Sequence, residues 1–393
     1  MPDSIGLGLI GTGFMGRCHA IAFRTAAAVF PLSVVPRMEA VADINLAAAE
    51  ALAGRFGFRR ATADWRDLVD DPAIGVIAIA SPNKFHTEMA LAATEAGKHV
   101  YCEKPMALTA ADAERMLEAA EAANIVHMVG YNYVANPAVI FARKLIDEGV
   151  LGDVIHFRCV NDEDYMADPA VPYSWRCRRD AAGTGTLADL GGHAISLALY
   201  LAGPIAGVSA ITDTVITKRP VMDSETMARS GKPDPSTGAG KMGQVENEDQ
   251  AVAMLRFENG AIGSFSSSRV AWGRKNYLAF EINGRNGTLI FDQERLNELR
   301  LYTNDGIGDD RNGFRTISMG PEHEPYGAFL PAKGHQIGFN DKKSVEVARL
   351  LQAIAGEVDP YPSFKDGLAV EYVLDAIERS SSERRWIEPK RPA

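Results

Sequence analysis

With 393 residues the chain exceeds what one hydrophobic core organises, so two domains of about 100 to 250 residues each are expected. A formal net charge of −10 argues against a nucleic-acid surface, which needs clustered cations, and no run approaches the roughly 18 apolar residues of a membrane span. Cys18, Cys102, Cys159 and Cys177 are scattered without Cys-x-x-Cys spacing, which speaks against a zinc site or a disulfide framework; no metal is expected and free thiols fit the cytoplasm.

The first 130 residues alternate short apolar runs with Ala-rich helical stretches, the rhythm of βαβ units. Residues 5–10, 38–42, 76–80, 99–102 and 126–131 read as buried parallel strands, and 47–56, 86–96 and 109–122 as helices, with Thr109 as an N-cap. The first strand starts so early that no secretory leader fits before it, again pointing to the cytoplasm. After about residue 150 the pattern turns to longer, alternating strands at 154–160, 250–257, 261–269, 277–282 and 288–291. Hairpin turns at Glu258-Asn259-Gly260 and Arg285-Asn286-Gly287 join neighbours. Helices near 187–201, 343–354 and 365–379 are expected to cover one face of that sheet, and residues 218–247 to form an exposed excursion. The fold class is α/β: an N-terminal Rossmann domain, 1–130, and a C-terminal α+β domain, 131–393, on a large, mostly antiparallel sheet.

Gly11-Thr12-Gly13-Phe14-Met15-Gly16 follows an apolar strand and opens a helix. The first glycine permits a tight turn, the second lets backbone N–H groups approach a diphosphate, and the third brings helix against strand. Asp43, at the end of the second strand, is placed to accept from a ribose and to repel a 2′-phosphate, which favours NAD over NADP. It lies 27 residues beyond Gly16, more than the usual 20 or so, and an inserted loop at residues 30–37 would account for the excess. Arg37 precedes the strand and is poorly placed for a 2′-phosphate.

Glu103-Lys104-Pro105 follows the strand at 99–102, the edge where open α/β sheets bind ligands. Asp189 and His193, four apart, share one helical face. Hydride leaves a carbinol carbon as the hydroxyl loses its proton, and imidazole accepts a proton near neutrality, so His193 is the expected base. Lys104 would donate to the same oxygen, and Asp189 would hold a neighbouring hydroxyl or orient the lysine.

The glycine turn, Glu103-Lys104-Pro105 and the Asp189/His193 pair, in this chain order, resemble the family of glucose-fructose oxidoreductase and inositol dehydrogenase over nearly the whole chain. The resemblance implies catalysis by Lys104, Asp189 and His193. It also implies cofactor contacts from Ser81, Asn83, His86, Glu103 and Lys104, and a Trp175-Arg176 pair lining the nicotinamide and substrate pocket.

The expected activity is NAD-dependent oxidation of a secondary hydroxyl, at C3, of a sugar, anhydrosugar or glycoside. The alternative is an NAD-dependent glycosidase working by oxidation, elimination, hydration and re-reduction. Arg176, Arg178 and Arg179 form a basic cluster that would suit an anionic glycoside such as a sulfoquinovoside, or else a solvated loop. Tyr131, Asn132, Tyr133 and His335 are further candidates for sugar contact. His19 sits either at the cofactor phosphates or beneath the glycine turn. A carbohydrate is the expected partner, with no nucleic acid and no membrane, and an open sheet face would favour a homodimer or homotetramer.

Overall fold

A computed structural model describes residues 3–221, 241–304, 306 and 310–392 of the chain. They form two compact units, the first Met1–Lys144, Ile317–Glu371 and Pro392–Ala393, the second Leu145–Thr316 and Tyr372–Arg391. The expected division at residue 130 thus meets a chain that leaves the first unit and later returns to it.

In the first unit, β1 (Asp3–Ile10), β2 (Val34–Ala42), β3 (Arg60–Thr62), β4 (Val76–Ile79), β5 (His99–Cys102) and β6 (His127–Val129) form a parallel sheet in the order β3-β2-β1-β4-β5-β6. This is the doubly wound dinucleotide-binding order, whose strand order reverses at β1/β4. Its strands are apolar on both faces because helices cover both: Leu7, Leu9, Val76 and Ile77 have no exposure. Helix starts follow local chemistry. Asn45 accepts from the Ala48 N–H at 3.2 Å and Thr109 from the Asp112 N–H at 3.1 Å, as its N-cap assignment requires. The inserted loop expected at 30–37 is a correction: the first helix runs Phe14–Val29 and β2 already pairs with β1 from Val34, so both elements share the extra length.

A second correction concerns the helix expected at 343–354. Phe339–Ile354 belongs to the first unit and packs on the helix Phe14–Val29. Val347, Leu350 and Leu351 enter one core with Leu7, Leu9, Phe23 and Tyr101. Each such side chain contributes roughly 1.5–3 kcal/mol by leaving water.

In the second unit β7 (Val154–Asp162), β8 (Ile205–Asp213), β11 (Gln250–Phe257), β12 (Ile262–Ser268), β13 (Tyr277–Gly284), β14 (Gly287–Asp292), β15 (Glu298–Thr303) and β16 (Arg315–Ser318) form one sheet, ordered β16-β15-β14-β13-β7-β12-β11-β8. The pairs β8/β11, β11/β12, β7/β13, β13/β14 and β14/β15 are antiparallel, and β12 lies parallel beside β7. The helix Gly192–Ala202 packs against β7 and β13. The edge strand β8 is closed off by Ser380 and Ser381, which accept from the N–H groups of Ala210 and Thr212 at 3.0 and 2.9 Å. On the other face Ile211, Val252, Met254 and Ile262 are exposed.

The excursion expected at 218–247 is only partly described. Its ends form a separate ribbon, β9 (Lys218–Pro220) against β10 (Met242–Gln244), and Arg219 and Asn247 are buried, contrary to the expectation of exposure. Residues 222–240 lie outside the described residues.

Candidate active site

The turn after β1 is built by exclusion of side chains. Gly11 has φ +100°, and a Cβ there would stand 2.5 Å from the Ala80 carbonyl oxygen; a Cβ on Gly16 would stand 2.0 Å from that of Gly11. A Cβ on Gly13 would meet nothing within 4 Å, so this backbone stays open to an approaching group. The helix begins at Phe14 with no acidic residue in its first turn, leaving its N-terminal N–H groups suited to an anion. Asp43 closes the turn from the side: Oδ2 accepts from Thr12 N–H at 2.9 Å and Thr12 O–H at 2.6 Å, and Oδ1 from Asn45 N–H at 3.0 Å. Arg37 is spent elsewhere, on Glu39, Ser4 and the Ala73 carbonyl. These residues fit a dinucleotide diphosphate and lack a cation for a 2′-phosphate.

Beneath the turn lies a cluster of buried charges. Glu103 Oε1 is 2.9 Å from both His19 Nε2 and Lys343 Nζ, and Lys343 Nζ is also 2.9 Å from Glu346 Oε2. Tyr101 O–H donates to Glu346. Burial pushes Glu103 up, but Lys343 and His19 outweigh it and hold this carboxyl well below the usual range. Burial raises Glu346 despite Lys343, and lowers His19 with help from Lys343. Glu103 is thereby the carboxyl of this cluster whose charged form is favoured, fixed one residue before Lys104. Behind the same loop Glu371 accepts from the Met106 N–H at 2.9 Å, and burial pushes its carboxyl up to about 8. His86 lies between two carbonyls, Nδ1 2.8 Å from Pro105 O and Nε2 2.9 Å from Ser81 O. Burial lowers its pKa against the pull of both carbonyls.

In the second unit Asp189 lies in a π-helical turn, Leu187–Gly191, and His193 in the α-helix that continues from it. A π-turn inside a helix commonly marks a functional position. Buried Glu248 caps this turn, accepting from Gly185 N–H at 2.7 Å and Leu187 N–H at 2.9 Å. Asp189 Oδ2 accepts from Tyr165 O–H and lies 3.9 Å from Arg176 Nε. Arg176 also stacks on Trp175, and its carbonyl accepts from Asn247 Nδ2 at 3.0 Å and Arg269 Nη1 at 3.2 Å. Arg269 is itself buried against Asp249 at 2.8 Å.

A family model described as the oxidoreductase family, NAD-binding Rossmann fold, matches residues 5–131, and one for the GFO/IDH/MocA C-terminal domain matches residues 139–290. Levoglucosan dehydrogenase of Pseudarthrobacter phenanthrenivorans is 41% identical over 391 residues, 98% of either chain. The chain belongs to the GFO/IDH/MocA family. Inositol 2-dehydrogenase of Rhizobium meliloti is 27% identical over 98% of this chain and 99% of its own length. A solved complex of levoglucosan dehydrogenase with NADH and levoglucosan is 40% identical, with a TM-score of 0.91, covering 99% of this chain and 100% of that one. As a member of this family the protein is an oxidoreductase with NAD as its cofactor.

In this GFO/IDH/MocA chain the first unit carries Gly11, Gly13, Phe14, Met15, Gly16, Asp43, Ser81, Asn83, His86, Glu103, Lys104, Tyr131, Asn132, Tyr133 and His335. The second carries Trp175, Arg176, Arg178, Asp189 and His193. Phe14 stands exposed beside the turn, 5.9 Å from the Phe339 ring. The burial and partners of the remaining candidates differ. Tyr131, Asn132 and Tyr133 are buried, with Tyr133 beneath the Lys342 ammonium at 3.8 Å. His86 is buried as a tie between two loops, and His19 lies under the turn. His335 is exposed on the surface. Of the basic cluster, Arg178 pairs with Asp180 and Arg179 with Glu378, leaving Arg176 as the member near Asp189. Sequence reasoning missed Lys343, Tyr165, Glu248 and Glu371. Their roles depend on partners between 24 and 265 positions away, so no local spacing announces them.

Proposed function

We propose that the protein oxidises a secondary hydroxyl, at C3, of a neutral sugar, anhydrosugar or glycoside, with Lys104, Asp189 and His193 as its catalytic residues. The observation that carries this reading is Lys104 itself, set directly after a buried carboxylate whose charge Lys343 and His19 secure, on the loop leaving β5. NAD, bound along the glycine turn, supplies the hydride acceptor. His193 takes the hydroxyl proton as C–H bond breaking begins, because an alkoxide-like oxygen is what expels hydride. Lys104 donates to that oxygen and disperses its developing charge. Asp189 accepts from the adjacent hydroxyl and so fixes which carbon presents its hydrogen. Similarity to levoglucosan dehydrogenase along almost the entire chain supports an anhydrosugar or related pyranose as the substrate class.

A glycosidase cycle acting on an anionic glycoside rested on three neighbouring arginines. With Arg178 and Arg179 each held by a carboxylate, that cluster no longer favours an anionic substrate.

The test is to incubate the protein with NAD and a panel of cyclic polyols, levoglucosan among them, and to follow NADH absorbance. Turnover is expected with at least one pyranose and lost in K104A, which still binds NAD; silence across the panel refutes the proposal. Aglycone release with catalytic NAD and no net NADH would instead establish the glycosidase cycle. The exposed apolar row of Ile211 beside Val252, with Met254 and Ile262, further supports a homodimer or homotetramer built on this sheet face.

A further inference from the structure

In the second unit Asp189 is met by a residue that neither the motif reading nor the family resemblance picked out. Tyr165 follows β7, and its backbone is pinned where the neighbouring Met166 N–H donates to Arg269 O at 3.1 Å. Its side chain packs against the buried cluster of Met166, Cys177 and Val245, and its O–H donates to Oδ2 of Asp189. Charged groups acting on this pair within the unit include Arg176, 3.9 Å from the same Oδ2, and Arg269. Burial, and then the charge of Asp189, push the Tyr165 phenol well above its ordinary range. The phenol therefore keeps its proton across any working pH, and the direction of the bond is fixed: tyrosine donates, aspartate accepts.

We propose that Tyr165 is a positioning residue of the hydride-transfer site, whose O–H holds Asp189 in one rotamer and in its ionised form, so that this carboxylate meets a sugar hydroxyl only as an acceptor. The proposal rests on the reading of Asp189 as a substrate-facing group. It follows from two properties of the bond. A hydrogen bond donated to a carboxylate stabilises the charged form selectively. A ring locked by its own packing transmits that geometry without rotating away.

The test uses the full-length protein with Y165F, which keeps the ring and deletes one oxygen. The first readout needs no substrate: the Asp189 carboxyl is titrated by carbon NMR on aspartate-labelled protein, with its signal assigned by its loss in D189N. Its midpoint is expected to rise in Y165F; an unchanged midpoint overturns the proposal. The second uses a sugar that the wild-type enzyme oxidises. There kcat is expected to fall about 10- to 100-fold, the worth of one charge-assisted hydrogen bond, while KM and the NAD Kd change less than about threefold. The acid limb of kcat should move to higher pH. If Y165F lowers kcat in a D189N background as much as in wild type, the tyrosine acts elsewhere and the proposal fails. A wild-type enzyme inert toward every sugar, with the midpoint still raised in Y165F, would sink the dehydrogenase reading and leave the positioning role standing.

Discussion

Replacing Lys343 by Met removes the cation that pairs with both carboxyl groups of the buried cluster under the glycine turn. Its ammonium stands 2.9 Å from a carboxylate oxygen of each of Glu103 and Glu346, with no solvent exposure. Methionine fills similar space without charge, so Glu103 would remain buried with His19 and the Lys104 N–H but without its cation. Breaking one side of a buried ion pair costs about 3–5 kcal/mol. At about 2.1 cal/mol/K of unfolding entropy per residue, a chain of 393 residues shifts by roughly 1 °C per kcal/mol, so Tm should fall by roughly 5 °C. E346Q offers the contrast. Burial already raises the Glu346 carboxyl, and an amide still accepts from Tyr101, so its cost should stay near 1 kcal/mol. Equilibrium urea unfolding measures both, with an unchanged slope confirming that the denatured states match. A K343M protein within about 1 kcal/mol of wild type, or an E346Q protein as damaged as K343M, would refute the assignment of charge to Glu103.

Three further outcomes are expected. D43N should weaken NAD binding by about tenfold and narrow the preference over NADP, since it removes both the charge and one acceptor of the Thr12 clasp; paired titrations with the two cofactors decide it. Glu371 has a folded pKa near 8, so its contribution is fully present below about pH 4.5 and fades as pH rises through about 8. The total approaches 5 kcal/mol, and E371Q should flatten the stability difference measured between pH 5 and pH 9. On the open sheet face, M254D should dissociate the expected oligomer to a monomer of unchanged fold, and light scattering that finds the wild type already monomeric would refute that association.

The glycine turn and the parallel strands were legible because their signals are local: a turn needs its glycines in place, and a twice-covered strand is apolar throughout. Periodicity identified the helix Phe339–Ile354, but it reports which face is buried and not what buries it, so the helix was assigned to the wrong sheet. Asp189 and His193 read as neighbours on an ordinary helix. The π-turn between them depends on Glu248 drawing two N–H groups together from 61 and 63 positions away. The arginine cluster illustrates the same limit. Asp180 lies two positions from Arg178, within local view, whereas Glu378 reaches Arg179 only through the fold. Tyr131 and Tyr133 are amphipathic side chains whose depth of burial only tertiary packing reveals.

The return of residues 317–371 to the first unit has a consequence for how the protein is made. On the ribosome, the cofactor-binding half appears first, yet its sheet lacks both the apolar cover of Val347, Leu350 and Leu351 and the cation that pairs with Glu103 until residues 145–316 of the second unit have been translated. A nascent chain halted after residue 144 should therefore expose a greasy, negatively charged seam to chaperones, and NAD added at that stage would find no finished cradle.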